Sequence, residues 1–242
     1  MASKKPTVVI VHGAWHVPEC YDKLVATLQS ADYEVYVPHL PSTNGTRPPD
    51  GNLVTDTALV GTNALYGLSY QVRMKQGLPG GVLHLIYMCA FILPEGWSTL
   101  DQGRSRGIEI VKATQLKLVF DDEGYCTMVD PRGQLINNVN DDDEAAAYIS
   151  KLVPWSAKCM TQPLSHCAWR DIPVTYIHTT NDKTITFVGQ KLMLERLKGI
   201  GLPDPLLVTL DTDHCPHITA TGDIVNIIGN TVANVKKGIG LM

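Results

Sequence analysis

The chain has 242 residues, 44% of them hydrophobic and 18% charged, enough to bury a full core and typical of one globular domain. Its formal charge of -4 comes with no run of Lys or Arg longer than Lys4-Lys5 and Lys236-Lys237, which argues against a phosphate-tracking surface and nucleic acid as a partner. No stretch reaches roughly 18 consecutive apolar residues, and Met1 to Pro6 leads directly into a strand pattern without a signal-peptide core, so a cytoplasmic chain with no membrane partner is expected.

Five β-rich runs follow in order: Thr7-Val11, Glu34-Pro38, Val82-Ala90, Pro173-His178 and Pro205-Leu210. Most are continuous apolar runs, the pattern of parallel strands covered on both faces. Between the first two, Cys20, Leu24, Val25, Leu28 and Ala31 fall at helical spacing, giving a β-α-β unit. Phe187-Lys198 and Asp223-Lys236 repeat helical patterns beside the last two strands. The alternation predicts an α/β fold with a mostly parallel sheet flanked by helices.

Two stretches break the alternation. Leu53-Gly77 reads as helix nearly throughout and contains no strand. Trp97-Arg170 carries one amphipathic helix around Asp143-Leu152 among loop signals, and is expected to be a helical cap inserted over a pocket. The six cysteines, Cys20, Cys89, Cys126, Cys159, Cys167 and Cys215, show neither Cys-x-x-Cys pairing nor a zinc-type Cys/His spacing, and read as reduced, buried thiols.

Three loops at strand ends carry candidate chemistry. Val8 to Val11 runs into His12-Gly13-Ala14-Trp15-His16, where a small residue after a glycine turn leaves a backbone N–H able to stabilise an oxyanion at the C-terminal edge of the sheet. Tyr176 to Thr180 ends in Asn181-Asp182, and Thr209-Leu210 leads through Asp211 to His214 ahead of the last helix. A loop histidine at the sheet rim suits a general base, and a carboxylate on the preceding strand can orient its ring. Singly, Asp182 reads as a turn residue and His214 as a solvated side chain; the order strand, acid, helix, strand, histidine raises both. His217, near the start of the following helix, reads as structural.

The chain resembles the small α/β-hydrolases related to plant methyl-ester esterases and hydroxynitrile lyases. The resemblance rests on VVIVHGAWHVPECYDKL, GGVLHLIYMCAFILPEGWS, AAYISKLVPWSAKCMTQPLSHCAWRDIPVTYIHTTNDKTI and DTDHCPHIT taken together, and covers nearly the whole sequence. It implies that Ala14 supplies an oxyanion-hole N–H, His214 the general base and Asp182 the triad acid. It further implies a cap over 97–170, no metal or organic cofactor, and a small, apolar, ester-like substrate in small-molecule or secondary metabolism. A non-hydrolytic binding or cyclase-like helper protein is the alternative on the same fold.

The departure lies in the nucleophile. That family places a serine in a Gly-x-Ser-x-Gly type turn after a central strand, before the positions of Asp182 and His214. Here Asp56 to Val60 passes directly into Gly61-Thr62-Asn63-Ala64, which resembles the helix that follows such a turn. A loss of about twenty residues at Val60-Gly61 accounts for the missing helix end, strand and elbow. Ser69, in Gly67-Leu68-Ser69-Tyr70-Gln71, keeps one glycine of an elbow and reads first as a helix-surface serine; Cys89 reads as a small buried residue at a strand end. Sequencing transcripts across Val60-Gly61 is expected to find a message with a further strand and elbow; only messages joining these two codons directly would show the loss to be genuine.

Overall fold

The computed structural model describes residues 5–46, 57–104 and 116–238. All five expected strands form: β1 Val8–Val9, β2 Val35–Tyr36, β3 Leu85–Met88 and β8 Leu206–Leu210 within their runs, and β7 Val174–Thr179 one residue past its own. β1 pairs parallel with β2, and β3, β7 and β8 pair parallel in that order. The connecting helices are α1 Asp22–Ser30, α7 Phe187–Lys198 and α9 Thr221–Gly238.

β7 is the axis of this arrangement. All six of its residues are buried, so its side chains serve both faces of the sheet. On one face Val174 and Tyr176 join Leu85 and Tyr87 of β3 and Met193, Leu194 and Leu197 of α7, around the fully buried Trp169. On the other, Ile177 joins Leu24 and Leu28 of α1 and Ile224 and Ile228 of α9, with Ile86 and Met88 packed alongside. The period-two split along β3 and β7 and the i, i+4 pairs on the helices are the geometry their sequences dictate. Such burial contributes about 1.5–3 kcal/mol for each large aliphatic or aromatic side chain.

A gap separates β1 from β3. Among the described residues no backbone hydrogen bond joins β1 to β3, and the parallel strands form two separate sheets. Val8 and Ile10 donate only toward the β2 side, to Glu34 and Tyr36 at 2.8 and 2.9 Å, while Leu85 and Cys89 donate only toward β7. Helix α2, Thr57–Ala64, touches both half-sheets: a Cβ on Gly61 would lie 3.7 Å from Val11, and Thr62 Oγ1 is 2.6 Å from the Tyr87 hydroxyl.

Leu53-Gly77 is not one helix. Residues 53–56 lie outside the described set; α2 ends at Ala64, the chain turns through Gly67 at φ +74°, and α3 runs over Tyr70–Lys75. Ser69 therefore stands ahead of a helix rather than on its surface. It is 2% exposed and bridges Val82 in parallel.

Residues 97–170 hold more than helices. Besides α4 Thr99–Arg104, α5 Pro131–Leu135 and α6 Asp142–Ile149, they form an antiparallel sheet of β4 Leu118–Phe120, β5 Tyr125–Met128 and β6 Trp155–Ser156. The helical insertion therefore also carries a small sheet that the sequence did not reveal, because strands this short leave no readable alternation. The predicted helix is present as α6, capped by Asp141, whose carboxylate accepts from Glu144 N at 2.8 Å.

Native-state hydrogen exchange provides a check on the divided sheet. Amides of β7 are expected to be the most protected, and those of β1 and β2, where Val9 and Tyr36 are 57% and 63% exposed, the least. Equal protection of β1 and β7 would contradict a divided sheet.

Candidate functional site

Asp182 and His214 come together where β7 and β8 end. His214 Nδ1 lies 2.8 Å from Asp182 Oδ2. The carboxylate is fully buried and held by four further donors: Thr184 N at 2.7 Å and Ile185 N at 2.8 Å on Oδ1, Gln190 Nε2 at 3.0 Å and Thr179 Oγ1 at 3.2 Å on Oδ2. A buried carboxylate whose lone pairs are filled in this way fixes the ring it faces. Because Nδ1 is committed to Asp182, Nε2 of His214 is left as the working nitrogen; it has no hydrogen-bond partner among the described residues. The imidazole keeps 19% of its side chain accessible.

Gln190 was not legible in the sequence, where it looks like a surface residue of α7. It is fully buried, and its carbonyl accepts from Thr179 N at 3.1 Å while its amide donates to Asp182 and to Ile185 O at 2.7 Å. Each of these bonds ties the acid loop to the helix behind it.

Ala14 sits on the loop after β1, in a turn closed by His16 N donating to Gly13 O at 3.2 Å. The Gly13 carbonyl also accepts from His12 Nδ1 at 3.2 Å. In a planar trans peptide the Ala14 N–H points opposite to that carbonyl, and it has no partner among the described residues. A Cβ at Gly13 would crowd His16 Nδ1 at 3.2 Å, so the turn needs glycine. Trp15 takes a left-handed φ of 63°. Its ring packs edge-on to Trp155 at 5.2 Å, its Nε1 donates to Cys126 O at 3.0 Å, and its carbonyl accepts from Val153 N at 2.9 Å. This strand-end loop and the His214 loop meet where His16 Nε2 lies 3.8 Å from Cys215 Sγ.

The other residues considered as nucleophiles fall elsewhere or are silenced. Ser69 lines a cleft with Val82, Leu83 and Pro173, which precede β3 and β7. Asp182 and His214 follow the C-terminal ends of β7 and β8, so Ser69 belongs to the opposite edge, separated by a strand length of about 20 Å at 3.3 Å per residue. Cys89 does lie beside the pair, with its sulfur within 4.8 Å of the Asp182 and His214 ligand atoms and a strained φ of 41°. Its thiol donates to the His214 carbonyl at 3.1 Å, and burial together with the Asp182 charge holds its pKa well above the usual thiol value. Cys89 thus braces the histidine loop as a protonated thiol.

Residues 8–227 match the model of the alpha/beta hydrolase family. The chain is 29% identical over 251 residues to "Alpha/beta hydrolase nvfD" of Aspergillus novofumigatus (strain IBT 16806), covering 93% of this chain and 96% of that protein. That span exceeds the 242 residues of the chain itself, so the relative carries residues with no counterpart here. Among solved structures, a methylesterase, MES16 from Arabidopsis, superposes with a TM-score of 0.62 at 16% identity, covering 94% of this chain and 98% of its own. A polyneuridine aldehyde esterase mutant gives 0.66 at 14%, covering 93% and 98%. Both likenesses are of fold, the α/β-hydrolase fold. No helix among the described residues is long and apolar enough to cross a membrane.

The histidines around the site titrate in opposite directions. Burial lowers the pKa of His214, but the charge and hydrogen bond of Asp182 and the charge of Asp213 outweigh it and raise it above 6.5. Burial depresses His12, His16, His84, His178 and His217, His16 to about 3. For His214 the stabilisation is complete below the unfolded value of 6.5 and is lost as pH rises through the folded value. For the five depressed rings it is present above 6.5 and is lost as pH falls toward their folded values. With five buried imidazoles opposing the ion pair at His214, the melting temperature of the metal-free chain is expected to fall between about pH 7 and pH 5; a flat or rising profile would contradict neutral, buried imidazoles.

Proposed function

The chain belongs to the alpha/beta hydrolase family, and we propose that it performs acid–base chemistry on a small, apolar carboxylic ester, with its hydrolytic rate cut by loss of the serine turn. The observation that carries this reading is the 2.8 Å contact between His214 Nδ1 and a fully buried Asp182 carboxylate, with Nε2 left open. A base so oriented, with its cation stabilised by the acid, is what acyl transfer requires.

In the absence of a serine the nucleophile is water. His214 Nε2 takes a proton as the water oxygen attacks the ester carbonyl, and the Ala14 N–H stabilises the oxyanion that forms. Collapse of the tetrahedral species expels the alcohol, which takes the proton back from the imidazolium, while Asp182 stays ionised throughout. One donor at the oxyanion and no covalent intermediate make this slower than a serine route.

Residues 97–170 act as the cap in this reading. Support comes from Trp155 and Cys126, which hold Trp15, and from the Tyr148 hydroxyl, 2.5 Å from His16 Nε2. A cytoplasmic setting in small-molecule or secondary metabolism fits the six free, buried cysteines. A second reading, a binding or cyclase-like helper protein, is favoured by one observation: no hydroxyl among the described residues bonds to His214 Nε2.

A fluorophosphonate probe is expected to label no serine of the purified protein. Hydrolysis of p-nitrophenyl butyrate is expected to be slow, to rise with pH as His214 loses its proton, and to fall about a hundredfold in His214→Ala. Labelling of a serine would show that a nucleophile exists after all. Turnover unchanged in His214→Ala would sink the ester reading, and absence of turnover with retained ligand binding would favour the helper protein.

A further inference from the structure

Behind the strand-end loop lies a second cluster of reactive side chains that the ester chemistry does not use. His16, from the loop after β1, meets Cys215 and His217, from the loop and short helix α8, Pro216–Thr219, that follow β8. Their ligand atoms all lie within 4.8 Å of one another, and the three residues are 3%, 1% and 2% exposed. Tyr148 of α6 reaches the same point: its hydroxyl is 2.5 Å from His16 Nε2, 3.2 Å from Cys215 Sγ and 3.2 Å from His217 Nε2.

We propose that His16, Cys215 and His217, with Tyr148 as fourth donor, form a buried site for one divalent transition metal of the zinc type. The donor set, two imidazoles, a thiolate and a phenolate, is of the borderline-soft kind that selects such ions over calcium or magnesium. Bonds of about 2.0–2.3 Å place the corners of a tetrahedral zinc site roughly 3.3–3.6 Å apart. Three of the observed separations, 3.2, 3.2 and 3.8 Å, bracket that range, the 2.5 Å Tyr148–His16 pair must open, and the remaining two lie within 4.8 Å.

The surroundings are those of a metal-binding histidine. His16 Nδ1 is 2.6 Å from the Ala14 carbonyl, so this nitrogen carries the proton and Nε2 presents its lone pair to the cluster. Metal-bound histidines commonly donate their second N–H to a carbonyl in this way. Tyr21 stacks on the His217 ring at 4.2 Å and fixes its plane. Loss of the Cys215 and Tyr148 protons on binding cancels the dication, so the occupied site buries no net charge and binding releases two protons. The sequence could not show this site, because its donors come from three distant segments and match no Cys/His spacing.

The untagged full-length chain, purified from zinc-supplemented culture and desalted, is expected to carry about one zinc per chain by elemental analysis. Exchange into cobalt is expected to give the visible bands of tetrahedral Co(II) and a near-ultraviolet thiolate-to-cobalt band. Cys215→Ser should remove the thiolate band, and Cys215→Ser combined with His217→Gln should lower zinc content at least about tenfold. Less than about one-tenth of an equivalent in the unmodified chain, a cobalt spectrum without the thiolate band, or zinc content unchanged in the double variant would overturn the proposal and leave a hydrogen-bonded cluster alone. The readouts on the unmodified chain stand even if a variant fails to fold, and none depends on ester turnover at His214.

Discussion

A single buried carboxylate organises the C-terminal half of the molecule. Asp182 has no access to water, and a charge in that position is tolerable only if its lone pairs are filled. They are filled from four directions: the strand end through Thr179, the following turn through Thr184 and Ile185, the helix behind through Gln190, and the next loop through His214. The carboxylate therefore knits β7, α7 and the β8 loop into one unit. Its removal would strand several buried donors at about 1–3 kcal/mol each. The orientation of the histidine follows from the need to satisfy the acid.

The N-terminal half is held by different means. With its central ladder interrupted, the parallel sheet cannot carry rigidity from β1 to β3 through backbone bonds, and side chains take over. Val8 and Ile10 pack in the same apolar cluster as Ile86, Met88 and Ile177, so one face of the core is continuous across the break. The helix that spans the slot adds the contact of Gly61 with Val11 and the bond from Thr62 to Tyr87. Apolar contact is less directional than a ladder, so register across the slot is less strictly specified than within β3, β7 and β8.

The five parallel strands and the helices around them were legible because long apolar runs and i, i+4 patterns record burial directly. The acid and histidine were legible from their order, since a loop at the C-terminal edge of a parallel strand is where such chemistry can converge. Gln190 and Tyr148 were not, because a polar residue on an amphipathic helix reads as solvent-facing until a buried partner is seen. Ser69 was misplaced for a related reason. The helical composition of Leu53-Gly77 hides the break at Gly67, and Gly81, whose Cβ would strike Tyr70 Cα at 2.7 Å, brings Val82 alongside to bury the serine. The short strands of the insertion fall below the length at which alternation can be recognised.

Trp15 shows how the two layers of the molecule are coupled. Its ring, its indole N–H and its carbonyl are each held by residues of the 97–170 insertion, while its amide shares a peptide unit with Ala14. The insertion is thus tied by three separate contacts to the loop after β1. Any displacement of β5 or β6 is therefore transmitted to the backbone at Trp15, whose left-handed φ of 63° costs about 1–3 kcal/mol, and through it to the loop that carries Ala14.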